Sequence, residues 1–160
     1  MSSIQQTSSS YFNTLKIIHL ALFAGQLMIG GVFFFLVSQD SSGGGNEELN
    51  KIFDAGIPAL LIGGVVAGYV LYRQGVPAIQ KLEGLAPKLE RFRAILIIRY
   101  ALWEGPVIFA LVGYFLTHNQ VLLYLAGAAI VAFFFLRPQK EAIAETLALK
   151  GEELKQFNDP

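Results

Sequence analysis

Four runs of apolar residues, at about 15–37, 55–72, 94–116 and 121–136, dominate the chain. Crossing the hydrocarbon core of a bilayer takes about 20 apolar residues, with a range of roughly 17–25. The first and third runs meet that length easily. The second and fourth are shorter and borrow flanking turns. Lipid offers the backbone no hydrogen-bond partners, so such segments must pair internally, as helices rather than open strands. Only 15% of the 160 residues are charged and 54% are hydrophobic, whereas a soluble domain carries roughly 25% charge. The expected fold is therefore all-α, with four transmembrane helices.

Flanking charge sets the orientation. Lys16, Arg73, Lys81, Lys88, Arg91, Arg93, Arg137, Lys140, Lys150 and Lys155 all fall on one side of a four-span arrangement. Lys51 alone falls on the other, beside the acidic, Ser- and Gly-rich loop 38–50. Excess Lys and Arg mark the cytoplasmic face, which predicts a multi-pass protein of the bacterial inner membrane with both termini cytoplasmic. The first ten residues carry no basic group, unlike the start of a signal peptide, so the first run is expected to stay in the mature protein.

Residues 1–14 read as a disordered tail, 15–137 as the transmembrane domain, and 138–160 as a cytoplasmic helix and tail. Within 77–92, Ile79, Leu82, Leu85, Leu89 and Phe92 recur at near-helical spacing. In 141–157, Ile143, Leu147, Leu154 and Phe157 do the same. Both segments predict amphipathic cytoplasmic helices, resting on their own bundle, the membrane face or a partner. Pro138 suits the first turn of the second.

The chain also reads as a tandem 2+2 hairpin repeat. With an offset of 80, eight of the 21 positions from 17 to 37 are identical to those from 97 to 117, including Gly25 with Gly105. His19 then meets Arg99, and Ala24 meets Glu104. Parallel repeats of this kind are common in membrane proteins.

Glu104 is the residue that points to function. It lies near the middle of the third run, where an ionisable group is costly and usually functional. Pro106 has no N–H, so the Leu102 carbonyl loses its helical donor, and Gly105-Pro106 predicts a kink. A free carbonyl beside a carboxyl is a candidate proton or cation site. Tyr100, one turn from Glu104, and Gln26, at similar depth in the first run, are its expected partners. A carboxyl that switches between neutral and charged forms is what proton binding within a membrane requires. The alternative is a protonated acid that hydrogen-bonds helix to helix, or one buried against another subunit.

Arg99 lies about 7.5 Å from Glu104 along the helix axis. It is expected to reach the cytoplasmic interface or stack on Trp103. Arg99 and His19 are the interface or relay candidates. Gly64 and Gly68 predict a close helix–helix contact. Phe33–Phe35 and Phe133–Phe135 are expected to face lipid.

Other function classes have no support. With no Cys, disulfides and thiolate metal sites are excluded. His19 and His118 fall on opposite sides of the membrane, which rules out a shared metal. No phosphate loop or catalytic constellation is present, so neither an enzyme nor a cofactor is expected. A net charge of zero gives no reason to expect nucleic-acid binding. The expected partners are the lipid bilayer and other subunits, in a homo-oligomer or a larger membrane complex.

Two resemblances rest on these residues. Gly63-Gly64 with Gly68, Arg73-Gln74, then Ala101–Gly105 and Ile108–Leu111 resemble the proteolipid (c-type) subunit of rotary ATP synthases. That resemblance would make Glu104 the carboxylate that carries a proton or sodium ion. The chain departs from the pattern in its longer connection after Arg73 and in Pro106. Over its full length it looks like an uncharacterised bacterial family of small four-span membrane proteins. The residues in question are Ile97 to Leu102 followed by Glu104-Gly105-Pro106, then Leu116-Thr117-x-Asn119, then Arg137-Pro138. This second resemblance implies membrane residence and no particular activity.

Overall fold

The computed structural model describes residues 8–40 and 47–158. Six helices and no strand occur among them: α1 (Ser8–Gln39), α2 (Glu47–Gln80), α3 (Leu85–Thr117), α4 (Gln120–Phe135), α5 (Lys140–Thr146) and α6 (Gly151–Asn158). Helices α1, α2 and α3 are long and apolar enough to cross a membrane. A fourth crossing is added if α4 and α5, bent by 77° at a short break, count as one span. The described residues thus form an all-helical fold with three or four helices fit to span a membrane.

The helices overrun their apolar cores. α2 and α3 have 34 and 33 residues, or about 50 Å each at 1.5 Å per residue, against a hydrocarbon core of about 30 Å. This overrun corrects the sequence reading of 77–92. That segment is not a separate cytoplasmic helix. Pro77 lies inside α2, and Leu85–Phe92 is the start of α3. The break falls at 81–84, where Gly84 takes φ 83°, a conformation that glycine reaches without steric cost. Pro87 then sits in the first turn of α3, where a missing N–H costs nothing. At the other end, α1 begins at Ser8, so residues 8–14 are helical where a disordered tail is expected; residues 1–7 lie outside the described part. Of the loop between α1 and α2, residues 41–46 also lie outside it.

The C-terminal segment differs as well. In place of one helix over 141–157 there are two, α5 and α6, separated by a turn with Ala148 at φ 51° and Gly151 at φ 54°. Pro138 lies in the break before α5 rather than in its first turn.

Two buried clusters hold the bundle. One joins Leu15, Leu89, Phe92, Tyr100, Phe133, Leu147 and Phe157 at the end where α5 and α6 fold back. The other joins Ile57, Val107, Leu111, Tyr114, Leu122 and Ile130 at the opposite end. Phe23 and Trp103 pack against both. The C-terminal cap is tied down by polar contacts. Lys88 Nζ donates to both Glu153 oxygens at 2.9 and 2.7 Å, Gln80 Nε2 donates to the Thr146 carbonyl at 2.7 Å, and Tyr72 and Thr146 hydroxyls bond at 3.2 Å. The apolar contribution is larger: Leu147 and Phe157 are fully buried, each worth about 1.5–3 kcal/mol. These contacts place the C-terminal segment against its own bundle. Phe157→Ala is expected to weaken cap docking by about 3–5 kcal/mol. Limited proteolysis in detergent should then cut residues 140–158 faster; an unchanged cleavage rate contradicts the burial.

Candidate functional site

α3 carries Arg99, Tyr100, Trp103 and Glu104 on successive turns, and stays helical through Gly105 and Pro106. Its neighbour α2 meets it along Gly64 and Gly68. A Cβ at Gly64 would collide with the Leu102 carbonyl oxygen and lie 3.1 Å from Pro106 Cγ. A Cβ at Gly68 would lie 3.4 Å from Arg99 Cγ. The small-residue face read from Gly64-x-x-x-Gly68 is therefore used as expected. The same contact lays the backbone of α2 against the Leu102 carbonyl, the oxygen expected to stand beside the Glu104 carboxyl.

Tyr100 does not bond to Glu104. Helical side chains lean toward the N-terminus of their own helix, and this lean carries the Tyr100 hydroxyl away from Glu104. Its Oη donates to the Leu136 carbonyl at 3.4 Å. The buried ring of Tyr100 packs against His19 at 5.3 Å and edge-on to Phe133 at 5.5 Å. Arg99 stacks on Tyr72 of α2, with the guanidinium 4.9 Å from the ring centre, rather than on Trp103. Trp103 instead faces α4, where its Nε1 donates to the Ala129 carbonyl at 3.0 Å.

α1 contributes a stripe of buried residues, Tyr11, Leu15, His19 and Gln26. His19 stacks on Phe133 with ring centres 4.6 Å apart. Phe133 is thus fully buried, against the expectation that its run faces lipid; Phe134 and Phe135 do stand exposed. The Phe134 carbonyl faces the His19 ring, yet neither ring nitrogen is in hydrogen-bond geometry. Gln26 is fully buried, and neither its Oε1 nor its Nε2 has a partner. The expected bond between Gln26 and Glu104 is therefore absent.

Glu104 itself is half-buried. None of the hydrogen bonds or ion pairs among the described residues includes it. No cluster of three or more His, Cys, Asp or Glu occurs among those residues either. Helix α3 thus presents a half-buried carboxyl that has no partner among the described residues.

A polar knot at the far end of the bundle escaped the sequence reading. Asn119 caps α4, its Oδ1 accepting from the Val121 N–H at 2.9 Å. Its Nδ2 donates to Asn50 Oδ1 and Asp54 Oδ1, both at 2.7 Å. His118, at φ 56°, places Nε2 3.5 Å from Asp40 Oδ2. Together these join the end of α1, the start of α2 and the α3–α4 turn. The signals were an Asn ahead of an apolar run, a helix-start residue, and Asn50 and Asp54 one helical turn apart.

No family model, characterised protein or solved structure matches the chain. Its function rests on its own geometry.

The orphaned amide gives a stability test. A buried polar group without a partner costs about 1–3 kcal/mol, and Met has nearly the volume of Gln. Gln26→Met is expected to raise the thermal unfolding midpoint in detergent. A lowered midpoint would mean that the amide has a partner in the assembled protein.

Proposed function

We propose that this protein is a small inner-membrane subunit of four spans, with both termini cytoplasmic, whose Glu104 binds a proton or cation near mid-membrane. The observation that carries this reading is the half-buried Glu104 carboxyl without a hydrogen-bond partner among the described residues. Intramembrane acids are normally paired or functional, and this one is not paired. α4 and α5 would serve as the fourth crossing, with the excess of Lys and Arg fixing orientation.

A 2+2 repeat fits the packing of α1 on α3. Gly30 faces Leu111, Phe33 stacks on Phe115 and His19 meets Tyr100, at offsets close to the 80 residues read from the sequence. Two parallel helices in near register are what a duplicated hairpin predicts. On that reading only the second half carries the acid, since Ala24 matches Glu104. A carboxyl carrier like that of the rotary proteolipid subunits would use one acid per duplicated unit in the same way.

A second reading is favoured by the exposed apolar surface beside Glu104. Ile97, Ile98 and Phe109 stand 42–58% exposed on α3. Here the protein is an accessory subunit or homo-oligomer, and Glu104 hydrogen-bonds a helix of another chain. The two readings separate on Glu104→Gln. The amide keeps size and hydrogen-bonding but cannot take up and release a proton. The ion-site reading expects normal assembly in mild detergent, proton flux in liposomes reduced to background, and loss of the carbodiimide labelling of Glu104 seen in the wild type. Full flux in Glu104→Gln, or no wild-type labelling across a broad pH range, rejects that reading. Assembly lost in Glu104→Leu but kept in Glu104→Gln supports the accessory one.

A further inference from the structure

At the bend between α4 and α5 the structure holds a half-open cleft of about 110 Å³. Arg99 and Arg137 both line it, with Tyr72, Gln139 and Thr146 supplying further polar groups. No carboxylate is among the lining residues. The two guanidiniums are held by aromatic rings: Arg99 lies 4.9 Å from the centre of Tyr72, and Arg137 lies 6.0 Å from that of Phe134. Neither is in an ion pair among the described residues. Lys88 shows the contrast, since it is buried with Glu153 at 2.7 Å.

Two cations line one cleft with no acid among its lining residues, so their like charge is not balanced from within it. An anion between them supplies that balance. Guanidinium forks match the oxygens of a phosphate, and charge-assisted bonds of this kind are the stronger class. The volume is enough for several waters, or for one tetrahedral group in their place. Location selects the source of that group. The cleft opens where the apolar run of α4 ends, and Phe134 and Phe135 beside Arg137 are 45% and 73% exposed. A ligand with a phosphate head and an apolar body would satisfy both surfaces at once. Basic pockets between spans bind anionic lipid headgroups in this manner.

We propose that the cleft between Arg99 and Arg137 binds the phosphate of an anionic phospholipid headgroup, with the acyl chains running along Phe134 and Phe135. The site is independent of the role of Glu104. It makes the α4–α5 bend, and so the seating of the C-terminal cap, responsive to membrane composition.

The test uses the full chain in mild detergent, with phosphatidylglycerol, phosphatidylcholine and inorganic phosphate as separate probes. Phosphatidylglycerol is expected to raise the unfolding midpoint more than phosphatidylcholine, and native mass spectrometry of the wild type should retain it selectively. The double variant Arg99→Gln/Arg137→Gln should bind it at least about tenfold more weakly, as charge-assisted bonds are lost. Arg99→Lys/Arg137→Lys, which keeps the charge, should retain part of the preference. Equal effects of the two lipids on the wild type overturn the site, and that comparison needs no variant to fold. An undiminished preference in the double Gln variant overturns it too. The full shift from inorganic phosphate alone, with none added by lipid, overturns the lipid assignment.

Discussion

The approach of α2 to α3 at Gly64 governs the middle of this bundle. Pro106 deprives the Leu102 carbonyl of its helical donor, and in hydrocarbon a bare carbonyl is expensive. The structure answers by laying the backbone of α2 over that oxygen, where any side chain at residue 64 would collide. Weak Cα–H contacts with carbonyls are typical of such close crossings. Consequences spread along both helices. One turn further, Gly68 lets Arg99 pass α2 and stack on Tyr72. Glu104, two residues beyond Leu102 and so about 200° around the helix, is turned away from α2 altogether.

The two ends of the bundle are closed by different physics. At the end holding the α3–α4 turn the Asn119 side chain ties α4 to the start of α2 with short hydrogen bonds. At the other end an apolar cap made by α5 and α6 buries Leu147 and Phe157, and the Lys88–Glu153 pair adds direction more than energy. A buried ion pair seldom gains much against its desolvation, but breaking one leaves a charge stranded. Between these closures the clusters meet at Phe23 and Trp103, the latter next in sequence to Glu104.

Helix content and the location of the first three apolar spans were legible in the sequence, because lipid permits little else. Boundaries were not. Pro77 looks like a helix start, yet α2 runs through it, since a long helix tolerates the loss of one hydrogen bond. The true break is set by the positive φ of Gly84, a cue present in the sequence and outweighed there by the apolar spacing around it. Among the site residues, Glu104 was visible as a charge in an apolar run. Its partners were assigned from helical spacing alone, which ignores the lean of side chains toward the helix N-terminus. That lean takes Tyr100 to the Leu136 carbonyl. Phe133 was missed for a related reason: in a continuous apolar run the buried face cannot be told from the lipid face without the neighbouring helix.

Stability alone does not account for the unpartnered polar groups. A bundle selected only to persist would carry Leu or Met at position 26, where the amide is fully buried with both polar atoms unpaired. It would carry an apolar residue at position 104 too. Instead two polar side chains, His19 and Gln26, are sealed inside the bundle on α1, and Glu104 is half open on α3. Groups retained against a cost in stability are characteristic of working sites. A helix–helix pin would have joined these groups or bonded each to a backbone carbonyl, as Trp103 is bonded to Ala129. Their isolation fits the proposed role of Glu104, in which its partner, a proton, a cation or another chain, comes from outside the fold.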